Sequence, residues 1–313
     1  MILMCPHPSR PTPNQGPSCH KPVLMQETLA ALAPERGGLF VDVTVGGGGH
    51  SEKILAASES VRLIAVDRDG QALERARTRL SVFGDRVTFV HAPFSSLASL
   101  IPAEWVGNIS GILADFGVSS DQLEDRERGF SFQEDGPLDM RMDRTKQKTS
   151  AAVLCARASE DDLETWLREF GEERYSRRVA HAIVMQRRVG PLLRTSQLAE
   201  LVSRTVSRGR QGIHPATRTF QALRIAVNRE LDEVDAFLSV SPALLGVDGR
   251  LAVISFHSLE DRRAKRALRN EARSREFEDI LKGGVTAQSA ELRENPRSRS
   301  ARLRAIRRVE ALS

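Results

Sequence analysis

Residues 39–50, LFVDVTVGGGGH, decide the fold. Leu39, Phe40, Val41, Val43 and Val45 form an apolar, β-branched run of strand length that stops at four successive glycines, Gly46, Gly47, Gly48 and Gly49. Glycines at the end of a strand let the backbone come close to a ligand. The helix expected over 51–57 adds unpaired N–H groups at its start. A second apolar strand, over 62–66, ends in Asp67, eighteen residues beyond Gly49. A carboxylate at that place can accept from both hydroxyls of a ribose.

On either side of this unit the pattern alternates. A short helix is expected over 22–33, a helix over 71–80, a strand over 87–90 and a strand over 109–114 that ends in Asp115. Strands separated by helices imply crossover connections and a parallel sheet. The alternation then stops for about 90 residues. Residues 124–144 are polar and bear Gly and Pro. Helical patterns follow: Ser159 can cap, with Asp162 three residues on, and Leu163, Trp166, Leu167 and Phe170 share one face. Tyr175, Val179 and Ile183 repeat at helical spacing, as do Leu198, Leu201, Val202 and Thr205. After Pro215 one long helix is expected, with the stripe Phe220, Leu223, Val227, Leu231, Val234 and Leu238. The sheet resumes over 250–256, and 301–309 reads as a final edge strand. The fold class is therefore α/β, a Rossmann-like domain with an inserted all-helical domain. The expected organisation is a disordered Pro-rich extension over 1–19, the first part of the α/β domain over 20–124, a helical, substrate-recognising insertion over 125–215, and the second part with a basic C-terminal segment over 216–313.

Composition narrows the class. The 313 residues are 40% apolar and 28% charged, enough for a core and for a water-exposed surface. The net charge is +5 and the pI about 9.5, but it is unevenly placed: residues 262–308 hold fifteen basic against six acidic residues. A concentrated basic segment suits a polyanionic partner, or a solvated face. The cysteines are Cys5, Cys19 and Cys155, with no CxxC pair, so neither a disulfide framework nor a zinc site is indicated and a reducing, cytoplasmic compartment fits. No apolar run is long enough to span a membrane.

Two details choose among nucleotide ligands. The fingerprint G-x-G-x-x-G, begun at Gly46 and Gly48, needs glycine at 51, where the chain has Ser51. This disfavours a nicotinamide-dependent oxidoreductase. Asp42, inside the first strand, is unusual beside a pyrophosphate but suits a ligand with an ammonium group, such as the methionine part of S-adenosylmethionine. Phe94 falls just beyond a strand end and can pack on an adenine face or belong to the core.

The segments VTVGGGGHSEKIL, ILADFGVSSDQLEDRERGFSF, DGPLDMRMD, GEERYSRRVAHAIV, HPATRTFQALRIAVNRELDEV, ISFHSLEDRRAKR and NPRSRSARLR together resemble the bacterial 16S ribosomal RNA cytosine-N4 methyltransferases. The resemblance runs over residues 20–310 in the family's order. It implies a class I methyltransferase domain that uses S-adenosylmethionine, with a helical insertion, acting on the exocyclic N4 of a cytidine in the decoding region of small-subunit rRNA. The partner it implies is 16S rRNA or the small ribosomal subunit. Cofactor contacts carried over from it fall on Gly48, Gly49, His50, Asp67, Phe94, Asp115 and Gln122. The chain departs from the family's pattern at Asp42-Val43-Thr44 and at Gly47, and the Pro-rich start is not a family feature.

Transfer from a sulfonium is an in-line displacement that depends on positioning. The N4 lone pair of cytosine is delocalised into the ring, so acceptors on the amine hydrogens would localise it. Asp115 and the carbonyls of Asp115-Phe116-Gly117 are candidates, and for Asp115 this role competes with that of a cofactor contact. His257 can take the proton after transfer, or serve a helix entry where Ser258 and Asp261 form a capping box. Attack through cytosine C5 would need a cysteine nucleophile. Cys155 lies in the helical insertion and reads as core. Thr217, Arg218, Gln221, Arg224 and Asn228 lie opposite the apolar stripe of the long helix, as phosphate and base-edge contacts or as a solvated face. Phe130 and Phe132 can stack on an unpaired base or anchor their loop. Arg174, Arg177 and Arg178 add basic charge on the insertion. No metal-ligand cluster is apparent, and monomer and homodimer both fit the pattern. The alternatives are a methyltransferase acting on another RNA, a protein or a small-molecule amine, and a non-catalytic RNA-binding module.

Overall fold

The computed structural model describes residues 22–206 and 214–310. The extension expected over 1–19 lies outside the described residues. The first half follows the alternation: α1 (Met25–Leu32), β1 (Gly38–Asp42), α2 (Gly49–Ala57), β2 (Val61–Asp67), α3 (Gly70–Leu80), β3 (Val87–His91), the single-turn α4 (Leu97–Leu100) and β4 (Ile109–Asp115). These four strands pair in parallel, and β1 lies between β2 and β4. Side chains alternate between two cores. Leu39, Val41, Ile64, Val66 and Ile112 face one, and Phe40, Leu63, Ala65 and Leu113 face the other. Burial on both faces is why these strands read as continuous apolar runs.

After β4 the chain forms α5 (Ser120–Glu124) and then an irregular polar stretch, followed by α6 (Ala151–Arg157), α7 (Glu160–Glu169), α8 (Ser176–Val189) and α9 (Thr195–Thr205). Ser159 caps α7 as expected, its hydroxyl accepting from the Asp162 N–H at 3.0 Å. Leu163, Leu167, Val179, Ile183, Leu198 and Val202 build a third core within this helical layer. Cys155 lies in it too, and burial pushes its thiol up to about 12, so it is inert at neutral pH.

The single long helix expected after Pro215 is two helices, α10 (Thr217–Asn228) and α11 (Glu230–Val240), joined at Arg229 in the left-handed region at φ 52°. The stripe divides with them. Phe220, Leu223 and Val227 pack in the helical core, whereas Val234 and Leu238 pack under the sheet. Val227 and Leu231 are four residues apart, so the apolar period runs across the break and conceals it. The visible sign was the acidic first turn of α11, Glu230, Asp232 and Glu233, which suits a helix N-terminus.

The second half adds β5 (Leu245–Ser255), α12 (Ser258–Arg273), β6 (Phe277–Asp279), β7 (Val285–Thr286), α13 (Ser289–Glu294) and β8 (Arg302–Arg308). The sheet order is β3-β2-β1-β4-β5-β8-β6, with β7 also on β8. The last strand, expected at an edge, is thus internal. It runs antiparallel to β5 on one side, and β6 and β7 cover the other. Two- and three-residue strands are too short to show alternation in a sequence. Among the described residues no helix is long and apolar enough to cross a membrane.

Candidate functional site

At the carboxyl ends of β1, β2 and β4 lies a cleft of about 600 Å³, large enough for a nucleotide-sized ligand and more. It sits beside β1, where the strand order reverses, the usual ligand position in an open α/β sheet. The turn after β1 is shaped by glycine. Gly48, at φ 82°, directs its Cα toward α3 and donates its N–H to the Val45 carbonyl, so it forms the turn and does not line the cleft. Gly49 does line it, and a Cβ there would fall 2.4 Å from Pro22.

Asp67 ends β2 and lines the cleft. Its two oxygens each accept a backbone N–H, from Gly46 and from Asp69, both at 2.8 Å. Each oxygen keeps a lone pair for a ligand hydroxyl. Asp42 differs from expectation. It is buried behind the turn, does not line the cleft, and accepts from the Ser51 hydroxyl at 2.7 Å and the Thr44 N–H at 3.1 Å. It therefore braces the loop and offers no direct contact to an ammonium group. Ser51, the residue that breaks the dinucleotide fingerprint, is its partner.

Asp115 ends β4 and lines the cleft. Its N–H donates to the Thr44 hydroxyl at 2.6 Å, while its Oδ1 is buried without a partner among the described residues. Its Oδ2 lies 3.9 Å from His50 Nδ1. His50 is buried, with Nε2 3.0 Å from the Val23 carbonyl. A carbonyl only accepts, so Nε2 carries the proton and Nδ1 the lone pair. Burial pushes His50 down to about 4, leaving it neutral.

Gln122 closes the same wall. Its side chain accepts from the Ser119 N–H at 3.0 Å and donates to Asp69 at 2.8 Å. Asp69 also takes Arg128 Nη1 at 2.9 Å, a buried pair the sequence reading missed. Phe94 lines the cleft and packs on Phe116 and Phe237 at ring distances of 5.7 and 5.9 Å, so it serves wall and core together. Pro296, Arg297, Arg299 and Ser300 form part of the rim. In the sequence they stand in the basic segment and in the family segment NPRSRSARLR, without a role of their own.

The residues proposed for RNA separate on inspection. Phe130 is buried in the helical core and unavailable for stacking. Phe132 is partly exposed, against His214 at 4.6 Å and Phe220 at 4.8 Å. Asn228 is buried: it donates to the carbonyls of Met140 and Arg224 and accepts from the Met142 N–H, pinning the 140–142 loop to α10. Gln221 is likewise spent, on the Phe170 carbonyl. Arg218 is partly exposed, and Arg174, Arg177 and Arg178 are exposed. Arg224 lines the cleft but is gripped by Glu230 through two contacts, of 2.9 and 2.8 Å. His257 does not line the cleft. It is the N-cap of α12, with Glu260 three residues on, so the box sits one residue earlier than expected and Ser258 begins the helix. Glu260 also lies 3.0 Å from His257 Nε2, which leaves the proton-acceptor role without a path.

The electrostatics favour a cationic ligand. Burial pushes Asp42 up to about 6 and Asp67 up to about 6. Burial, then the charges of Asp42 and Glu260, hold Asp115 well above the usual carboxylate range. A sulfonium and an ammonium group entering this cleft would restore the ionised carboxylates. The buried unpartnered oxygen of Asp115, the paired lone-pair sites of Asp67 and the close approach at Gly49 all fit S-adenosylmethionine.

Residues 17–309 match the model of the MraW methylase family. The chain belongs to that family. The family's cofactor is S-adenosylmethionine, in agreement with the charge of the cleft. Among its relatives is a "Ribosomal RNA small subunit methyltransferase H" of Sorangium cellulosum, 49% identical over 97% of this chain and 94% of its own. Others of the same name come from Cyanothece sp., 49% identical over 94% and 96%, and from Nitrosococcus oceani, 46% identical over 93% and 97%.

The raised carboxyls in and behind this MraW-type cleft give a signed pH dependence. Asp67 and Asp42, at about 6 in the folded protein against an ordinary 3.8, add stability to the ligand-free fold below 3.8, and that stability is lost as pH rises through about 6. Cofactor binding runs the other way, because it favours the ionised acids. Affinity for S-adenosylmethionine is expected to fall as pH drops from 7.5 to 5, by up to roughly tenfold per unit below 6 for each proton released. Calorimetry in buffers of different ionisation enthalpy measures both affinity and proton release. A dissociation constant flat over that range would contradict it.

Proposed function

We propose that the protein transfers a methyl group from S-adenosylmethionine to the exocyclic N4 of a cytidine in the decoding region of 16S rRNA, acting in the cytoplasm on the free RNA or the small subunit. The relatives named above are rRNA small-subunit methyltransferases over nearly their whole length, which supports the coarser reading of an rRNA methyltransferase. The observation that carries the finer one is Asp115, which lines the cleft and has one carboxyl oxygen buried without a partner among the described residues.

The bound cofactor would be held by Asp67 at its ribose, by the backbone at Gly46 and Gly49, and by the wall of His50, Phe94 and Gln122; it supplies a methyl group already activated on a sulfonium. The chain then has to aim the nucleophile. Asp115 and the carbonyl of Phe116 accept the amine hydrogens, which draws the N4 lone pair out of conjugation. After transfer the surplus N4 proton passes to Asp115. Phe94, Phe116 and Phe256 give the cleft an apolar wall. The target base must leave its stack to enter the cleft. In this reading Phe132, Arg218 and the rim arginines Arg297 and Arg299 meet the flanking RNA.

The test is mass mapping of methylated nucleotides in small-subunit rRNA from cells with and without this protein. The expected result is loss of one N4-methylated cytidine in the decoding region, restored by the wild-type chain and not by Asp115→Asn. An unchanged map would refute the proposal, and methyl transfer into protein would favour the alternative substrate class.

A further inference from the structure

Arg224 is one of the arginines that line the cleft, and its surroundings are built to hold it still. Its Nε and Nη2 contact the two oxygens of Glu230 at 2.9 and 2.8 Å. Its Nη2 also lies 3.4 Å from His257 Nε2 and 4.0 Å from Glu260 Oε1. Glu230 is 7% exposed and Glu260 1%. Against the cost of burial, His257 and Arg224 hold Glu260 below the usual carboxylate range, so a negative charge stands behind the guanidinium. Glu230, His257 and Glu260 have donor atoms within 4.8 Å of one another, as a metal site would. The guanidinium, charged and forked onto Glu230, already fills the place a cation would take.

One nitrogen is left over. Nη1 of Arg224 has no hydrogen-bond partner among the described residues, and the side chain, 15% exposed, lines the cleft. The Asp115-Phe116-Gly117 segment lies close by: a Cβ on Gly117 would be 3.7 Å from the Phe256 ring and 3.9 Å from Glu260 Oε1. The pocket thus offers acceptors along one edge and a fixed donor beside them.

We infer that Arg224 reads the target base, donating from Nη1 to the N3 and O2 edge while Asp115 and the Phe116 carbonyl take the amine. The inference rests on the cytidine-N4 reading above. The order of groups on cytosine is donor, acceptor, acceptor. Uracil places an N–H where cytosine has its N3 lone pair, and that N–H would face the guanidinium. Adenine has no oxygen corresponding to O2. A fixed cation therefore selects cytosine on hydrogen-bond pattern as well as size. Glu230 and Glu260 act as positioning residues for Arg224.

The experiment is a cycle between one residue and one atom of the substrate. Small-subunit RNA carries cytidine or 3-deazacytidine, in which N3 is a C–H, at the methylated position. Removing Arg224 alone strips the buried carboxylate of Glu230 of its guanidinium partner, while Glu260 keeps His257 and the Phe256 N–H. The variants are therefore Arg224→Met and the charge-neutral pair Arg224→Met with Glu230→Leu, each checked for S-adenosylmethionine binding by calorimetry. With wild-type protein the 3-deaza change lowers single-turnover kcat/KM on the order of 100-fold. In the variants it costs less than about threefold further, because the contact is already gone. A 3-deaza penalty as large in both variants as in wild type overturns the role of Arg224. Wild-type transfer to a nucleotide other than the cytidine, with cofactor binding intact, overturns the reading of the cleft itself.

Discussion

Replacing Asp67 with alanine is expected to raise the dissociation constant for S-adenosylmethionine by two to three orders of magnitude. Asp67 serves both sides of the contact. Its oxygens accept from the Gly46 and Asp69 N–H groups, and their free lone pairs face the cleft. Two hydrogen bonds from ribose hydroxyls to a carboxylate amount to about 3–4 kcal/mol, and a loosened glycine turn adds to that. Asp67→Asn keeps one acceptor oxygen and should fall between. Calorimetric titration measures both. An alanine variant that bound within about threefold of wild type would show that the ribose lies elsewhere.

Asp115→Asn is expected to lower the rate of methyl transfer by two to three orders of magnitude while cofactor affinity changes less than about tenfold. The logic is the charge state. In the ligand-free cleft the Asp115 carboxyl is held well above the usual range, so an isosteric neutral amide costs the fold little. The amide cannot take up the N4 proton, and its NH2 turns a donor toward the amine. Single-turnover transfer with saturating cofactor separates the step from binding. Normal binding together with full-rate transfer would remove Asp115 from both of its proposed roles.

The sheet was legible in the chain because its inner strands are buried on both faces. Runs such as Leu39–Val41 and Ile112–Ala114 have no polar member to disguise them. The glycine cluster and Asp67 followed, since turns that approach a ligand demand particular residue types. What failed to show had a common cause: the direction of a side chain depends on a layer that a local pattern does not contain. Asn228 lies opposite the apolar stripe, which reads as solvent-facing, but the 140–142 loop covers it, giving the Met142 N–H and taking an amide N–H at the Met140 carbonyl, and its other contacts are to Arg224 and Gln147. Phe130 sits in an irregular stretch with no period to assign it, and the helical core took it. Arg224 was picked out as an RNA contact, but its clamp comes from Glu230, beyond a helix break that the apolar period hides. The Asp69–Gln122–Arg128 network joins one motif segment, which holds Gln122 and Arg128, to Asp69 more than fifty residues earlier, and a local pattern cannot show that pairing.

The hydroxyl that Ser51 gives to Asp42 has a bearing on how this scaffold could change its ligand. Turning the loop into the nicotinamide-type fingerprint needs glycine at 51, and that step deletes a donor to an acid that is 2% exposed. Leaving such an oxygen unsatisfied costs about 1–3 kcal/mol, more for a charged group. Glycine at 51 is therefore tolerated only with a compensating change at Asp42, and the two residues act as one unit beneath the turn.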